Sequence, residues 1–170
     1  MHVLVVLRLL GMMVMLFASC MLLPLVISLM LGDAALPAYS RSVLVTLCAG
    51  AILWFATRRA TGELQIRDGF LLVALVWTTL PAFATLPLLF YMPGLSFTNA
   101  YFEATSGLTA SGGTVLSGLD QLPPSINLWR GFMIWLGGMG VIVLAVAILP
   151  LLGVGGSQIF KAETPGPMKD

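Results

Sequence analysis

Long apolar runs without a charged residue are the feature that most constrains this chain. The first, Leu9–Leu31, extends over 23 residues, and a helix of about 20 apolar residues is enough to cross the hydrocarbon core of a bilayer. Charged residues make up only 9% of the sequence and hydrophobic residues 59%, whereas soluble domains carry about 25% charged residues. We therefore expect an all-α integral membrane protein, because a helix satisfies its own backbone hydrogen bonds in lipid.

Four apolar runs predict four transmembrane helices. Pro24 lies inside the first run and is expected to kink that helix rather than break it. This run is longer than the roughly 7–15-residue core of a secretory signal, and no clear cleavage motif closes it, so we expect it to be retained. In chain order, the predicted spans are Leu9–Leu31, Ser42–Thr57, Phe70–Tyr91 and Trp129–Leu152.

The stretch Phe97–Leu116 interrupts this pattern, because its apolar signal gives way to the small and hydroxyl-bearing residues of TSGLTASGGT. A helix over Thr98–Gly107 would be about 15 Å long, half the thickness of a hydrocarbon core of about 30 Å. Thr98 or Asn99 is expected to cap its start, and Gly107 is expected to stop it. A half-helix and a glycine loop between two spans predict a re-entrant pore segment, which must be buried in protein or line a water-filled cavity.

The positive charges orient the predicted spans. With the N-terminus in the cytoplasm, only Arg41 and Arg130 lie outside, which agrees with the tendency of Lys and Arg to stay in cytoplasmic loops. The agreement requires the half-helix segment to enter and leave by the same outer face, since a full crossing would move the last two lysines outside. The cytoplasmic charges are then Arg8, Arg58, Arg59, Arg67, Lys161 and Lys169.

The loop Leu108–Gly113 has the composition of an ion filter. Filters replace the water shell of an ion largely with backbone carbonyls, and Gly112 and Gly113 can adopt backbone angles closed to other residues. The C-terminal end of a half-helix carries partial negative charge, which favours a cation. A glycine loop can also be a packing loop or a hinge, and the residues alone leave these alternatives open. Thr109, Ser111 and Thr114 add hydroxyl groups.

Several other functions are not indicated. The net charge of +1 argues against nucleic acid as a partner, which would call for a basic face. Cys20 and Cys48 lie in apolar runs, where we interpret them as small hydrophobic residues, and His2 is the single histidine, so no metal-binding pattern is present. We find no nucleophile–base pair and no phosphate loop, and we expect neither an enzyme nor a covalently bound cofactor.

Polar and glycine residues near the half-helix have two interpretations each. Glu103 lies on the half-helix, where an intramembrane carboxylate is a candidate functional group; it could support the filter or attract cations, or bond to nearby backbone. Asp120 and Arg130 are expected to have surface or packing roles rather than to select ions. The cluster Gly137-Gly138-Met139-Gly140 predicts close packing beside the half-helix, with a hinge as the alternative.

The chain resembles the TrkH/TrkG family of potassium-uptake proteins, whose superfamily includes KtrB and the fungal Trk transporters. The resemblance is densest over Phe102–Asp170, from FEATSGLTASGGTVL through WRGFMIWLGGMG, and extends to the RRATGELQIRDGF loop. It implies four linked helix–pore-helix–helix repeats around a pseudo-fourfold axis, preceded by two extra helices. On this reading residues 1–60 are the extra pair, 70–152 the first repeat and 153–170 a cytoplasmic linker.

The resemblance also implies the site. When the family pattern SGLTTTGA is laid on SGLTASGG, Gly112 becomes the filter glycine and Gly113 follows it. Ala110 and Ser111 replace threonines of the pattern, which changes side-chain packing but leaves the backbone oxygens in place. Glu103 then supports the pore helix. The carbonyls that would coordinate K⁺ belong to Thr109, Ala110, Ser111 and Gly112.

The implied function is potassium uptake across the bacterial inner membrane, with this chain as one quarter of the pore. One quarter cannot close a ring of ligands, so we expect either a fragment of a longer protein, which we favour, or a subunit that assembles with others. The resemblance implies membrane lipid, the remaining pore repeats, a second full-length chain in a homodimer and a cytosolic TrkA-type nucleotide-binding regulatory subunit as partners. The alternative is a non-conducting membrane assembly or regulatory protein, in which the glycine loop is structural.

Overall fold

The computed structural model describes residues 2–62 and 65–148, with the surroundings of side chains given for all of these except 66 and 141–148. Within these ranges the regular structure is entirely helical, which confirms the all-α class. Seven α-helices are joined by short connections, and a short 3₁₀ turn, Leu119–Gln121, precedes the last of them. The helices are α1 (Val3–Cys20), α2 (Leu22–Leu31), α3 (Leu36–Thr57), α4 (Ile66–Ala84), α5 (Leu86–Tyr91), α6 (Phe97–Leu108) and α7 (Pro124–Ile148).

Three helical stretches in the described ranges are long and apolar enough to cross a membrane: Val3–Leu31, Leu36–Thr57 and Arg67–Tyr91. They correspond to the first three predicted spans. Helix α7 has 25 residues, which at 1.5 Å per residue is about 37 Å, but it is not among these three stretches. The fourth span therefore stays a prediction, and its expected end at Leu152 lies outside the described residues.

The first span is interrupted for a single residue, Met21, between α1 and α2. Pro24 lacks an N–H group and cannot donate to the carbonyl of Cys20 four residues earlier. The chain compensates locally, because the N–H of Met21 donates to Ala18 and that of Leu25 to Met21, both at 3.2 Å. The helix resumes at once, as expected for a proline-induced kink in a membrane helix.

The second span is longer than predicted, because α3 begins at Leu36 rather than at Ser42. The polar residues that suggested a loop here are turned into the protein: Tyr39 and Ser42 are fully buried. A proline in the first helical turn is compatible with this earlier start. With 22 residues, α3 has the length of an ordinary spanning helix.

Helices α1 and α3 cross at a point where both carry glycine. A Cβ atom added to Gly11 would lie 2.8 Å from the backbone nitrogen of Trp54, and one added to Gly50 would lie 2.9 Å from the carbonyl oxygen of Gly11. Small residues let helix backbones approach this closely in a membrane. The first two spans therefore form a tight pair.

This pair shares a core with the rest of the chain, centred on the fully buried Trp129 of α7. The indole N–H of Trp129 donates to the carbonyl of Ala84 at 3.1 Å, and its ring lies 5.8 Å from that of Phe17 in α1. The hydroxyl of Tyr39 in α3 donates to the carbonyl of Ser125 at 2.8 Å. Helix α7 is thus held against the first three spans, and α6 packs on its other side.

Candidate functional site

Helix α6 is a half-helix, as the sequence predicts. It has 12 residues, or about 18 Å, against a hydrocarbon core of about 30 Å. The prediction of Thr98 or Asn99 as its N-cap is wrong. The cap is Ser96, which has extended backbone angles and whose hydroxyl accepts a hydrogen bond from the N–H of Asn99 at 3.2 Å.

The half-helix ends one residue later than predicted, at Leu108. Gly107 lies inside the last turn, where a Cβ atom would be 3.0 Å from that of Met133, so its role there is close packing on α7. The chain then leaves the helix by folding back on it. The N–H of Thr109 donates to Thr105 and that of Ala110 to Gly107, both at 2.9 Å.

The turn after the half-helix depends on two residues with positive φ. Gly112 has φ 74°, and Ala110 has φ 55°. A non-glycine residue in the left-handed region is uncommon and costs on the order of 1–3 kcal/mol. A Cβ atom on Gly112 would meet nothing within 4 Å. Glycine is therefore favoured at position 112 by its backbone angles and not by lack of space.

Beyond the turn, the chain runs back along α6. The N–H of Ser111 donates to the carbonyl of Ser106 at 3.0 Å, and the hydroxyl of Ser106 donates to the carbonyl of Gly113 at 2.6 Å. One residue further on, the hydroxyl of Thr114 lies 2.9 and 3.0 Å from the two carboxylate oxygens of Glu103. Later residues of the loop thus contact the same or earlier residues of α6. The loop therefore runs antiparallel to the half-helix, back towards the end at which the half-helix begins.

The loop presents carbonyl groups that accept no hydrogen bond from the described residues. Residues 109–115 are exposed. In the described part of the chain, no hydrogen bond ends on the carbonyl oxygens of residues 109–112, whereas that of Gly113 accepts from Ser106. The carbonyls of four consecutive exposed residues are the kind of ligand that replaces the water shell of a cation.

A polar cluster of Glu103, Thr114 and Arg130, here called the filter clamp, joins the half-helix, the returning loop and α7. The Nε and Nη2 atoms of Arg130 each lie 2.7 Å from Oε1 of Glu103. The Nη2 atom also donates to the hydroxyl of Thr114 at 3.2 Å. The N–H of Val115 donates to Oε2 of Glu103 at 3.1 Å. The exposed fraction of the side chain is 3% for Glu103 and 19% for Arg130.

This geometry corrects part of the sequence interpretation. Arg130 was expected to have a surface or packing role, but its guanidinium pairs with the carboxylate of the half-helix. Asp120 is exposed in the 3₁₀ turn, in agreement with a surface role. The carboxylate of Glu103 accepts from the loop backbone and pairs with Arg130. Its role in supporting the filter or attracting cations stays a prediction.

Two cavities have different characters. A small cavity of about 30 Å³ lies behind the loop, between the filter clamp, Gly112, Gly113 and α7. It is polar on one side and large enough for a single water molecule. The other, of about 430 Å³, lies between α1, α4 and α7 and is lined almost entirely by apolar side chains. It offers no ligands for a cation and belongs to the packing of the spans.

Gly137 confirms the prediction of close packing beside the half-helix. A Cβ atom at this position would lie 2.1 Å from the carbonyl oxygen of Leu108, the last residue of α6. Gly138 and Gly140 have open space around them, so only the first glycine of the cluster is required by contact with α6.

Sequence reasoning missed two residues of the site. Ser106 bonds to Ser111 and Gly113, and Thr114, considered only as a source of hydroxyl groups, belongs to the filter clamp. A serine in the last turn of a half-helix, directly before the loop, is a signal that could have found Ser106. A charge inside the apolar run of α7 was the signal for Arg130, since intramembrane charges are rarely without a partner. Within the described ranges, no group of three or more His, Cys, Asp or Glu residues could hold a metal ion.

The fold and the site together define an integral membrane protein with a re-entrant half-helix and a carbonyl-bearing loop. The chain belongs to the TrkH family of cation transport proteins, which matches residues 35–170. It is 49% identical to the Trk system potassium uptake protein TrkH of Salmonella typhimurium, over 100% of this chain and 35% of that protein. It is 36% identical to TrkG of Escherichia coli K12, over 99% of this chain and 35% of that protein.

The crystal structure of the potassium transporter TrkH from Vibrio parahaemolyticus is similar to this chain with a TM-score of 0.85 and 44% sequence identity. The match covers 97% of this chain and 34% of that one. The chain thus spans about a third of the length of the relatives that it matches. These findings confirm the family resemblance that the filter sequence carries.

Proposed function

We propose that this chain supplies one quarter of the selectivity filter of a potassium-uptake transporter in the bacterial inner membrane. The observation that carries the proposal is the run of exposed residues 109–112, whose carbonyls accept no hydrogen bond within the described ranges, at the end of a re-entrant half-helix. Relatives along the whole chain are named potassium uptake proteins. The chain is proposed as a transporter segment and not as an enzyme, with K⁺ as its cargo.

In the proposed mechanism, K⁺ exchanges part of its water shell for carbonyl oxygens of Thr109, Ala110, Ser111 and Gly112. The C-terminal end of α6 adds partial negative charge next to this site. Gly113 follows these residues, and its carbonyl accepts a hydrogen bond from the hydroxyl of Ser106. Each of these groups is fixed before an ion arrives, so little reorganisation accompanies binding.

The same proposal assigns the parts of the chain and its partners. Residues 1–60 act as the extra helix pair, 70–152 as the first repeat and 153–170 as a cytoplasmic linker, with the N-terminus in the cytoplasm. Three further repeats, from the same full-length chain or from other subunits, complete the ring of ligands. Membrane lipid, a second full-length chain in a homodimer and a TrkA-type nucleotide-binding regulatory subunit are the proposed partners, supported by the resemblance of the whole chain to this family.

The test compares two glycines with the same backbone conformation. Gly112 and Gly118 have φ 74° and 68°, and neither has an atom closer than 3.9 Å to an added Cβ. Alanine therefore introduces similar backbone strain at both positions, but only Gly112 lies in the proposed filter. We define the complete transporter as this chain with the rest of its coding sequence, or as a chimera in which it replaces the matching third of the Vibrio parahaemolyticus TrkH.

In the complete transporter, Gly112→Ala is expected to lower the ratio of K⁺ to Na⁺ uptake by about tenfold or more, because each 1.4 kcal/mol of lost discrimination is a factor of ten. Gly118→Ala is expected to leave the ratio unchanged. Uptake of both cations into K⁺-depleted cells, normalised to the amount of protein in the membrane, measures this. Equal ratios for Gly112→Ala and the unsubstituted protein would refute the filter assignment.

The coding sequence after Asp170 separates this proposal from the alternative of a non-conducting assembly or regulatory protein. Three further segments of the SGLT-x-x-G type in the same reading frame, or in a neighbouring gene, are expected if the chain is part of a pore. A stop codon without any such neighbour would favour the alternative.

A further inference from the structure

The filter clamp connects three elements through polar groups. Glu103 lies on α6, Thr114 on the returning limb of the loop and Arg130 on α7. The carboxylate of Glu103 accepts hydrogen bonds from the loop through the Thr114 hydroxyl and the Val115 N–H. It also accepts one from Nε of Arg130 and forms an ion pair with the same guanidinium. One nearly buried carboxylate therefore determines where both the loop and α7 lie relative to the half-helix.

Arg130 also makes a contact that does not involve the carboxylate of Glu103. Its Nη2 atom donates to the hydroxyl of Thr114 at 3.2 Å, so the guanidinium bonds to helix and loop at once. A guanidinium presents several donors in one rigid plane, whereas a lysine ammonium is a compact charge on a flexible stem. The double contact therefore depends on arginine itself and not only on a positive charge.

Packing alone does not fix the loop at this point. The small cavity of about 30 Å³ lies directly behind Gly112 and Gly113, and nothing lies within 4 Å of a Cβ atom at Gly112. The described contacts on this limb include the Ser106 hydroxyl, the Phe102 ring, which would lie 3.4 Å from a Cβ atom at Gly113, and the filter clamp. Polar bonds, more than apolar packing, therefore hold the returning limb in register with α6.

We propose that Arg130 is a positioning residue for ion selectivity: through Glu103 and Thr114 it sets the spacing of the carbonyls at residues 109–112. This inference rests on the proposed function and adds a residue of α7 to it. Loosening the returning limb changes the distances between carbonyl oxygens, which determine discrimination between cations. Movement of α7 is then transmitted to the filter through one ion pair.

The experiment uses four variants of the complete transporter. Arg130→Lys keeps the charge and loses the double contact. Arg130→Gln removes the charge and leaves the buried carboxylate without its partner, which can itself reduce folding. The double variant Glu103→Gln/Arg130→Gln removes both charges, so that no uncompensated charge stays buried. Arg41→Gln, at an exposed residue of α3 on the same predicted side of the membrane, controls for the loss of a nearby positive charge.

Both Arg130→Lys and the double variant are expected to lower the K⁺/Na⁺ uptake ratio by about fivefold to tenfold, since contacting residues couple by up to a few kcal/mol. Their amounts in the membrane are expected to remain near that of the unsubstituted protein. Arg41→Gln is expected to keep the original ratio. A purely structural role for Arg130 would instead reduce the amount of protein, or the uptake of both cations by the same factor.

A ratio that is unchanged in both Arg130→Lys and the double variant would overturn the inference. If Gly112→Ala lowers the ratio in the same assay, the proposed function stands and only the role of Arg130 fails. If Gly112→Ala also leaves the ratio unchanged, the filter assignment itself fails. The two outcomes are therefore distinguishable in one set of measurements.

Discussion

Two of the polar attachments that hold helix α7 use different atoms of that helix. At its start, Asp33 from the connection between α2 and α3 and Tyr39 from α3 bond to the backbone of Ser125, an arrangement that we call the N-terminal anchor. Less than two turns later, the side chain of Arg130 enters the filter clamp. The first attachment faces the N-terminal helices and the second faces the candidate filter.

The two attachments differ in whether they require a particular side chain of α7. In the N-terminal anchor, the carboxylate of Asp33 accepts from the N–H of Ser125 at 3.2 Å, as an N-cap residue does for its own helix, and the hydroxyl of Tyr39 donates to the Ser125 carbonyl. Both bonds end on backbone atoms that every residue except proline has. The filter clamp needs the guanidinium itself. We therefore expect changes at the anchor to affect stability, and changes at the clamp to affect selectivity.

The largest expected effect disturbs the close approach of α7 to α6, on which the filter clamp depends. Gly137→Ala places a Cβ atom 2.1 Å from the carbonyl oxygen of Leu108, so a backbone must move. We expect a loss of about 1–3 kcal/mol in the free energy of unfolding, as for other overpacked sites. Denaturant unfolding in detergent measures this loss.

Gly138→Ala is the matched control, because the neighbouring glycine has open space around it. Alanine there is expected to be neutral or slightly stabilising, since it has the higher helix propensity. Equal destabilisation by the two variants would mean that α7 does not rest on the end of the half-helix as described.

An effect of similar size separates the N-terminal anchor from the filter clamp. Tyr39→Phe removes the hydroxyl that donates to Ser125 and leaves a buried carbonyl without that partner. The expected cost is about 1–3 kcal/mol, with the K⁺/Na⁺ ratio unchanged. Tyr101→Phe is a control in which the lost bond, to the carbonyl of Thr78, is exposed to its surroundings, so its effect on stability should be smaller. A changed ratio in Tyr39→Phe would remove the distinction between the two attachments.

The smallest effect is a dependence of stability on pH at the N-terminal anchor. Burial raises the pKa of Asp33, but hydrogen bonds from the Ser28 hydroxyl and from the N–H groups of Ala35 and Ser125 outweigh it, so that the pKa lies below its ordinary value. A carboxyl with a lowered folded-state pKa contributes stability above its unfolded pKa of about 3.9. That contribution disappears as the pH falls through the lower, folded-state value.

The stability difference between the unsubstituted protein and Asp33→Asn is therefore expected to be present at pH 7 and to shrink below about pH 4. Unfolding curves recorded from pH 7 to pH 3 measure it, with Asp120→Asn as a control at an exposed aspartate of the 3₁₀ turn. A difference that grows as the pH falls would contradict the assigned hydrogen bonds.

The features that follow from local sequence could be predicted. Uncharged apolar runs placed the first three spans, and the loss of hydropathy after ten residues placed the half-helix. The start of α3 could not be located, because Tyr39 and Ser42 are polar residues buried by tertiary contacts. The cap at Ser96 was missed because Ser, Thr and Asn are all good caps, and three of them occur within four residues.

Only part of the candidate site could be predicted from the sequence, because some of its features depend on tertiary contacts. Positive φ at Gly112 is a natural use of glycine, but the sequence does not reveal that Ala110 also has positive φ, since alanine has no preference for that region. The pairing of Glu103 with Arg130 spans 27 residues and depends on how α7 packs against α6. Local patterns carry no information on such a contact.

The most direct test of the account is to locate the ion. Crystals of the complete transporter grown with Rb⁺ or Tl⁺ in place of K⁺ give an anomalous signal at every bound cation. The account predicts peaks beside the carbonyl oxygens of residues 109–112, and none on the carbonyl of Gly113, which the hydroxyl of Ser106 already occupies. A bound cation in the pore that touches none of these four carbonyls would contradict it.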